Sequence, residues 1–383
     1  MDFELPEDLA AFRDVTREFA AERIAPHARE WDANKWIPEE VVAEAGRIGL
    51  LGVTTPEEYG GVGESMLAMS VVIEEIARQD GSFALLIEAH NGLCLQHLNI
   101  AASEAQKMKY LPHLASGKMI GSWCLSEPDC GTDAEALTTR AEKTSAGWVL
   151  NGQKLWVTSG KRAGLYIVIA RTKPERGSRT ISAFVVERGA KGMDVGAPED
   201  KMGMRSTDTV PVSFDNCEIP EENLVGELHQ GYVDALKVLD EGRFSVGAIS
   251  VGLARGCLEE AIKYATERKA FGKPLHAHQA VQFMLADMET EIEAARILVR
   301  QAACAHDAGK PDKELCCMAK LFASEMASRA GWNAIQILGG AGYTKDFCVE
   351  RLLRDNKLCE IGEGTSEVQR MLIAREQCRR QSA

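Results

Sequence analysis

The sequence predicts a mainly α-helical protein with a β region set in its middle. Three observations carry that reading. Apolar residues recur at helical spacing from residue 7 to about residue 116. From Lys118 to about Cys217 the period shortens to runs rich in β-branched and aromatic residues, separated by turn residues as in an antiparallel sheet or barrel. From Gly231 the helical period returns in three long segments. The expected division is a helical region over 1–118, a β region over 119–226 and a helical bundle over 227–383.

Composition bounds what such a chain does. Its 383 residues are 45% hydrophobic and 26% charged, enough apolar material for a large core in an ordinary soluble protein. A net charge of −13 disfavours nucleic acid and anionic membranes as partners. No apolar run approaches a bilayer span, so no membrane insertion is expected. Residues 1–4 are acidic and show neither a signal nor a transit peptide. The expected location is a bacterial cytoplasm, with a mature mitochondrial matrix form as the alternative. The eleven cysteines are scattered, odd in number and without C-x-x-C spacing, which reads as free thiols in a reducing compartment. The eight histidines form no H-x-x-x-H pair, and no metal site is legible.

Leu9, Phe12, Phe19 and Ile24 place an amphipathic helix over residues 7–29, and Pro38 sits where a second helix begins. Gly60-Gly61-Val62-Gly63 has neither the lysine of a P-loop nor G-x-G-x-x-G spacing, so it is a connector. Helices are expected over 66–79 and 83–99, and Ser103 with Gln106 forms a capping box for one running to Ser116. Strands are expected over 119–125, 136–141, 147–150, 154–158, 165–170 and 180–186. Asn151-Gly152 reads as a hairpin turn. Trp156 and Thr158, two apart, then share a strand face, where an indole and a hydroxyl suit either the edge of a core or the face of a planar heterocycle. Residues 126–133 form a loop broken by Pro128 and Gly131.

In the C-terminal region Gly247, Gly252 and Gly256, with Ala248 and Ala254, predict close packing along one long helix. Helices over about 276–306 and 313–338 follow, which together make a bundle. Asp240-Glu241-Gly242-Arg243 is expected to begin the first of these helices. Arg268-Lys269-Ala270-Phe271-Gly272 is expected to close it, with cations in its last turn and a glycine cap. Near the end, Gly362 and Gly364 bracket one carboxylate, Glu363, and Ser366 with Gln369 reads as a capping box opening the final helix. Such a bend aims its single side chain and sets it beside free helix N–H groups. On pattern alone the plainer reading is a C-capped helix with a solvated glutamate.

The stretch Glu363-Gly364-Thr365-Ser366-Glu367-Val368-Gln369-Arg370 resembles the C-terminal signature of the acyl-CoA dehydrogenases. Further matches fall in the family's order at Leu125-Ser126-Glu127-Pro128 through Gly131-Thr132-Asp133, at Asn151-Gly152 through Trp156-Val157-Thr158, at Glu267 through Gly272, and at Gln336-Ile337-Leu338-Gly339-Gly340. They span nearly the whole chain. The resemblance implies an N-terminal helical domain, a middle antiparallel β-barrel or sheet domain and a C-terminal four-helix bundle. It implies FAD-dependent α,β-dehydrogenation of an acyl-CoA thioester to the 2-enoyl-CoA, with the α-proton going to Glu363 and the β-hydride to flavin N5. An electron-transferring flavoprotein then takes the electrons.

The resemblance also assigns residues. Leu125 and Ser126 would contact the flavin, Gly131 and Thr132 its diphosphate, and Trp156 and Thr158 its ring, with Thr365 and Glu367 among the cofactor contacts. Arg268, Phe271, Gln279, Gln336, Gly339 and Gly340 would reach the FAD of a neighbouring subunit in a homotetramer. Thr132, Asp240, Arg243, Gly362 and Gly364 would line the acyl-CoA side. Thr132 stands where serine is usual, and keeps the hydroxyl. Some members, isovaleryl-CoA dehydrogenases among them, carry their base at the position matching Gly242, which here has no side chain, so Glu363 is the only base the motifs supply. Many straight-chain members carry a tyrosine before the glutamate. Gly362 frees that volume, so the expected acyl group is bulkier: branched, alicyclic or aryl-substituted. A same-fold oxidase or flavin monooxygenase, and a non-catalytic acyl-CoA-binding subunit, are the competing readings. The chain's length and Glu363 oppose the first two; Glu363, Trp156, Thr158 and Arg268 together oppose the third.

Overall fold

The computed structural model describes residues 5–382, so the acidic start read at residues 1–4 lies outside the described residues. The N-terminal region is helical: α1 (Glu7–Phe19), α2 (Ala28–Asn34), α3 (Glu39–Arg47), α4 (Met66–Ala77), α5 (Gly81–Glu88), α6 (Gln96–Ala101) and α7 (Glu104–Ala115). The helix expected over 7–29 is interrupted, because a π-helical turn at Ala20–Ile24 widens it before α2. A second π-helical segment, Ala89–Leu95, joins α5 to α6. All eight residues of α5 are buried, and α4 is buried from Ala68 to Ala77. Helices that are apolar all round belong inside a core, and both run through the largest hydrophobic cluster of the molecule. The capping box at Ser103 and Gln106 is present in both directions.

The middle region holds β1 (Gly121–Cys124), β2 (Arg140–Lys143), β3 (Trp148–Thr158), β4 (Leu165–Arg171), β5 (Ile181–Glu187), β6 (Met193–Val195), β7 (Thr209–Ile219) and β8 (Leu224–Val225). They form one sheet in the order β6-β7-β3-β2-β4-β5-β8, with β1 also paired to β4. Most pairs are antiparallel, but β1 and β2 each run parallel to β4. Strand β4 is buried on both faces: Leu165, Ile167 and Ile169 pack on the helices around Leu98 and Leu111, while Tyr166, Val168 and Ala170 face Phe184 and Val212.

Asn151-Gly152 is not a hairpin turn. Strand β3 runs straight through it, and the two separate runs expected over 147–150 and 154–158 are one strand. The dipeptide is a bulge against β7, where the register shifts between Leu150 and Gly152. Gly152 has φ +144°, and a Cβ there would lie 2.6 Å from the Thr139 Cα. Glycine is therefore needed for close approach rather than for reversal. The reversal comes one turn earlier, where Lys143 pairs with Trp148 and Thr144 N–H donates to the Gly147 carbonyl at 2.9 Å.

The C-terminal region holds α8 (Gly231–Glu267), a ribbon of β9 (Lys269–Ala270) and β10 (Lys273–Pro274), then α9 (Gln279–Asp307), α10 (Lys313–Leu338), α11 (Val349–Cys359) and α12 (Ser366–Ser382). The small residues do what their spacing suggested. A Cβ on Gly252 would sit 2.4 Å from the Glu74 carbonyl oxygen, and one on Gly256 would sit 2.4 Å from that of Arg78, so α4 crosses α8 at backbone contact. Three expected helix ends are corrected. Asp240 and Arg243 lie inside α8, which begins at Gly231. Arg268 is past its end in extended conformation, and Phe271 (φ +52°) with Gly272 (φ +78°) forms a two-residue turn between β9 and β10. Ser366 is the first residue of α12 rather than its cap. Thr365 caps instead, accepting from the Val368 N–H at 3.4 Å, and the Gln369 amide turns back to the loop carbonyls.

Candidate active site

Glu363 sits on the bend between α11 and α12 with φ +54°, followed by Gly364 at φ +93°. A left-handed glutamate costs about 1–2 kcal/mol, so the bend must be held by its surroundings. The Lys320 ammonium, buried on α10, donates to the carbonyls of Cys359 (2.9 Å) and Gly364 (2.8 Å). The Gln369 amide donates to the Gly364 carbonyl at 2.9 Å. Gly362 N–H closes the last turn of α11 on the Leu358 carbonyl at 2.8 Å.

Held in this way, Glu363 points its carboxylate at α8. Its Oε2 is buried with no hydrogen-bond donor other than the carboxyl of Glu88, and a Cβ on Gly242 would lie 2.6 Å from it. Gly242 also lines a narrow cavity with Thr54, Met66, Met69, Gly92 and Ser245. Burial raises the Glu363 carboxyl above the ordinary carboxylate range, opposed by the charges of Lys320 and Arg243 and by a hydrogen bond from Glu88. A buried carboxyl raised above its ordinary range, next to the Gly242 that lines this cavity, is what proton abstraction from a weak carbon acid needs. Arg243 is buried, pairs with Asp240 one turn back, and leaves its Nε without a partner; Asp240 also meets Lys313 at 3.2 Å.

A second group of residues surrounds open space on the sheet. Trp156 takes φ +59° at a bulge in β3 and stays 59% exposed, while Val157 beneath it is fully buried and Thr158 lies on the same outer side as the indole. Of the two readings of this pair, the exposure of the indole weighs against the edge of a core. Gly131 and Thr132 lie exposed on the loop after β1, and nothing approaches a Cβ on Gly131 within 4 Å. Leu125 and Ser126 are fixed by a buried ion pair that sequence reading missed. Lys154 donates to Glu127 at 2.7 Å and to the Leu125 carbonyl at 3.0 Å, and Glu127 accepts from the N–H groups of Thr138 and Thr139. Burial would push Glu127 up, but Lys154 and these donors hold it down at about 2. Burial also lowers the Lys154 ammonium, yet beside an ionised Glu127 the charged pair is the state that satisfies both groups. The available signal was a lysine at an inward position of an apolar strand. An exposed indole, two hydroxyls and a glycine cradle fit a planar ring with a diphosphate.

Arg268, Phe271, Gln279, Gln336, Gly339 and Gly340 are all exposed, at the ends of α8, α9 and α10. The structure does not gather them around Glu363. Gly242 and Glu267, both on α8, are separated by roughly 38 Å at 1.5 Å rise per residue. Nothing lies within 4 Å of a Cβ on Gly272, Gly339 or Gly340. Thr365 and Glu367 stay near the Glu363 bend at the start of α12. Also missed was Glu88, the last residue of α5, a carboxylate in an otherwise apolar run. Among the described residues no cluster of ligands could hold a metal, and the cysteines form no disulfide.

Comparison with known proteins gives the same answer along the chain. It matches the acyl-CoA dehydrogenase N-terminal domain over residues 6–118, the middle domain over 122–217 and the C-terminal domain over 229–377. It is 43% identical over 374 residues to the probable acyl-CoA dehydrogenase FadE25 of Mycobacterium tuberculosis, covering 97% of this chain and 96% of that one. It superposes on butyryl-CoA dehydrogenase from Megasphaera elsdenii with a TM-score of 0.97 at 38% identity, covering 99% of this chain and 100% of that one. A structure described as PigA with FAD and proline matches with a TM-score of 0.95 at 29% identity, over 99% of this chain and 100% of that one. With its three regions matched in order and relatives aligned over nearly its full length, the chain belongs to the acyl-CoA dehydrogenase family.

Proposed function

We propose that this chain desaturates an acyl-CoA thioester to the 2-enoyl-CoA, with FAD as cofactor and Glu363 as the base. The observation that carries the reading is the buried Glu363 carboxyl on a pinned left-handed bend, its Oε2 set against Gly242, which lines the cavity. Glu363 takes the α-proton, and its own N–H hydrogen-bonds the thioester carbonyl as charge develops there. The flavin, when bound, supplies the acceptor for the β-hydride. Trp156 and Thr158 would hold its ring with Leu125 and Ser126, and Gly131 and Thr132 its diphosphate, with Thr365 and Glu367 among the contacts. Asp240 and Arg243 order the acyl-CoA side with Thr132, Gly362 and Gly364. The β region over 119–226 thus presents the cofactor to a base supplied by 227–383, with 1–118 closing the cavity.

Arg268, Phe271, Gln279, Gln336, Gly339 and Gly340 stand too far along the bundle to meet the same ring as Glu363. Their exposure, with Trp332 and Tyr343 also exposed on the bundle, supports a homotetramer in which they contact a neighbour's FAD. Electrons leave to an electron-transferring flavoprotein, in the bacterial cytoplasm. Among the described residues no helix is long and apolar enough to cross a membrane.

A bulkier acyl group fits the bend. A Cβ on Gly362 would meet its nearest atoms, all of Leu358, at 3.4 Å or more, which supports room beside the bend where other members carry a ring. The test is anaerobic addition of butyryl, octanoyl, isobutyryl, cyclohexanoyl and phenylpropionyl thioesters to the purified holoprotein, following flavin bleaching. Bleaching by a branched or cyclic thioester ahead of butyryl and octanoyl supports the substrate class; the reverse order overturns it. A colourless protein that takes up no FAD overturns the enzyme.

A further inference from the structure

Glu88 is a buried ionisable group that the reaction as described does not use. It ends α5 fully buried, and neither of its oxygens meets a hydrogen-bond donor from any other group. Burying a bare carboxylate is costly, and such a group either pairs or takes up a proton. The group it faces is Glu363, itself short of a donor at Oε2. Both carboxyls converge on one point of α8: a Cβ on Gly242 would lie 2.6 Å from Glu363 Oε2 and 3.8 Å from Glu88 Oε1. A Cβ on Gly92, in the π-helical segment, would lie 2.9 Å from Glu88 Oε1. Two glycines on two elements therefore leave room for a pair of carboxyl groups. Two carboxylates cannot hydrogen-bond each other, so their contact needs a proton between them.

We propose that Glu88 and Glu363 form a proton-sharing pair, in which a neutral Glu88 donates to the Glu363 carboxylate and positions it as the base. The charges around them set which partner holds the proton. Arg243 of α8 and Lys320 of α10 act on Glu363 and favour its ionised form. Around Glu88 the charge felt is that of Glu363 itself, and burial with that like charge pushes Glu88 well above the carboxylate range. From α4 the cavity receives Met66 and Met69, which carry no charge. The pair holds one proton at rest and two after the α-proton is taken, and one must leave before the next turnover. Glu88 is a positioning residue here: it acts on the reaction through Glu363.

The inference rests on Glu363 being the base, so its test has one arm that does not. In the infrared spectrum of the wild-type holoprotein at mildly alkaline pH, a protonated-carboxyl C=O band should persist and should vanish in Glu88→Gln. Absence of that band, or its survival in the variant, overturns the pair whatever the chemistry. The second arm is the pH profile of flavin bleaching by the best thioester of the panel. Glu88→Met removes the donor and should raise the acid limb by about one pH unit, leaving about tenfold less ionised base below it. Glu88→Gln, which keeps a donor, should restore the limb. An acid limb unmoved in Glu88→Met overturns the positioning role. If Glu363→Gln bleaches as fast as wild type, the base assignment fails, and the infrared band still reports on the pair.

Discussion

Glu363 and Phe271 are both non-glycine residues in left-handed conformation, at φ +54° and +52°, and each is followed by a left-handed glycine. Their surroundings are opposite. The Glu363 bend is gripped by Lys320 and Gln369, and its carboxylate is sealed against α8. Phe271 is 97% exposed on a two-strand ribbon, with open space around Gly272. Strain at the first is balanced within the chain, and at the second only a small turn resists it. A residue that must aim at a reacting atom is over-determined by its own fold. Phe271 at the tip of its turn meets the His278 ring edge-on, with centroids 6.1 Å apart, and its own fold does not bury it.

The contrast can be broken from the inside first. Lys154→Met should remove the cation paired with the buried Glu127 and cost about 3–5 kcal/mol, because an uncompensated buried charge remains. Denaturant midpoints with and without FAD would measure it, and FAD should dissociate more readily since Leu125 and Ser126 lose their anchor. A loss under about 1 kcal/mol would mean that the pair is not what fixes the loop.

The same pair gives a pH signature. Glu127 is held at about 2 in the folded protein against an ordinary 4.5, so its stabilisation is complete above pH 4.5 and is lost as pH falls towards 2. Wild type should therefore lose stability between those values more steeply than Glu127→Gln. Parallel curves would contradict the assignment.

Lys320→Met leaves the Cys359 carbonyl without its side-chain donor and the Gly364 carbonyl held by Gln369 alone, and should cost about 1–3 kcal/mol. Its sharper effect is on the bend: kcat should fall while KM changes little, since the cavity itself is intact. At the other pole, Phe271→Ala and Arg268→Ala should change the stability of the isolated protomer by less than about 0.5 kcal/mol. Both should weaken FAD retention and shift the oligomer towards smaller species on sedimentation. If they destabilise the protomer as much as Lys320→Met does, the ribbon is not an open contact.

What was legible in the sequence follows the range of the interactions. The α, β, α order and the capping box at Ser103 depend on neighbours a few residues away, and they are where the pattern puts them. Asn151-Gly152 carries the local signature of a hairpin, but pairing with β7, some sixty residues on, turns it into a bulge. Ser366 and Gln369 have capping-box spacing, yet the carbonyl of Gly364 draws the Gln369 amide away. Asp240 and Arg268 were placed at helix ends by local charge, and tertiary packing moved both ends of α8. Glu88, Lys154 and Lys320 were not singled out, because a charge within an apolar run reveals its partner only once distant elements are packed. Glu363 was found because its family signature is contiguous.

The most direct measurement is single-turnover flavin reduction by the best acyl-CoA of the panel, wild type against Glu363→Gln. A fall of on the order of 10²–10⁴ or more, with FAD content and thermal midpoint unchanged, is the expected result. Reduction at an undiminished rate in the variant would show that another group takes the α-proton and that the bend has a different purpose.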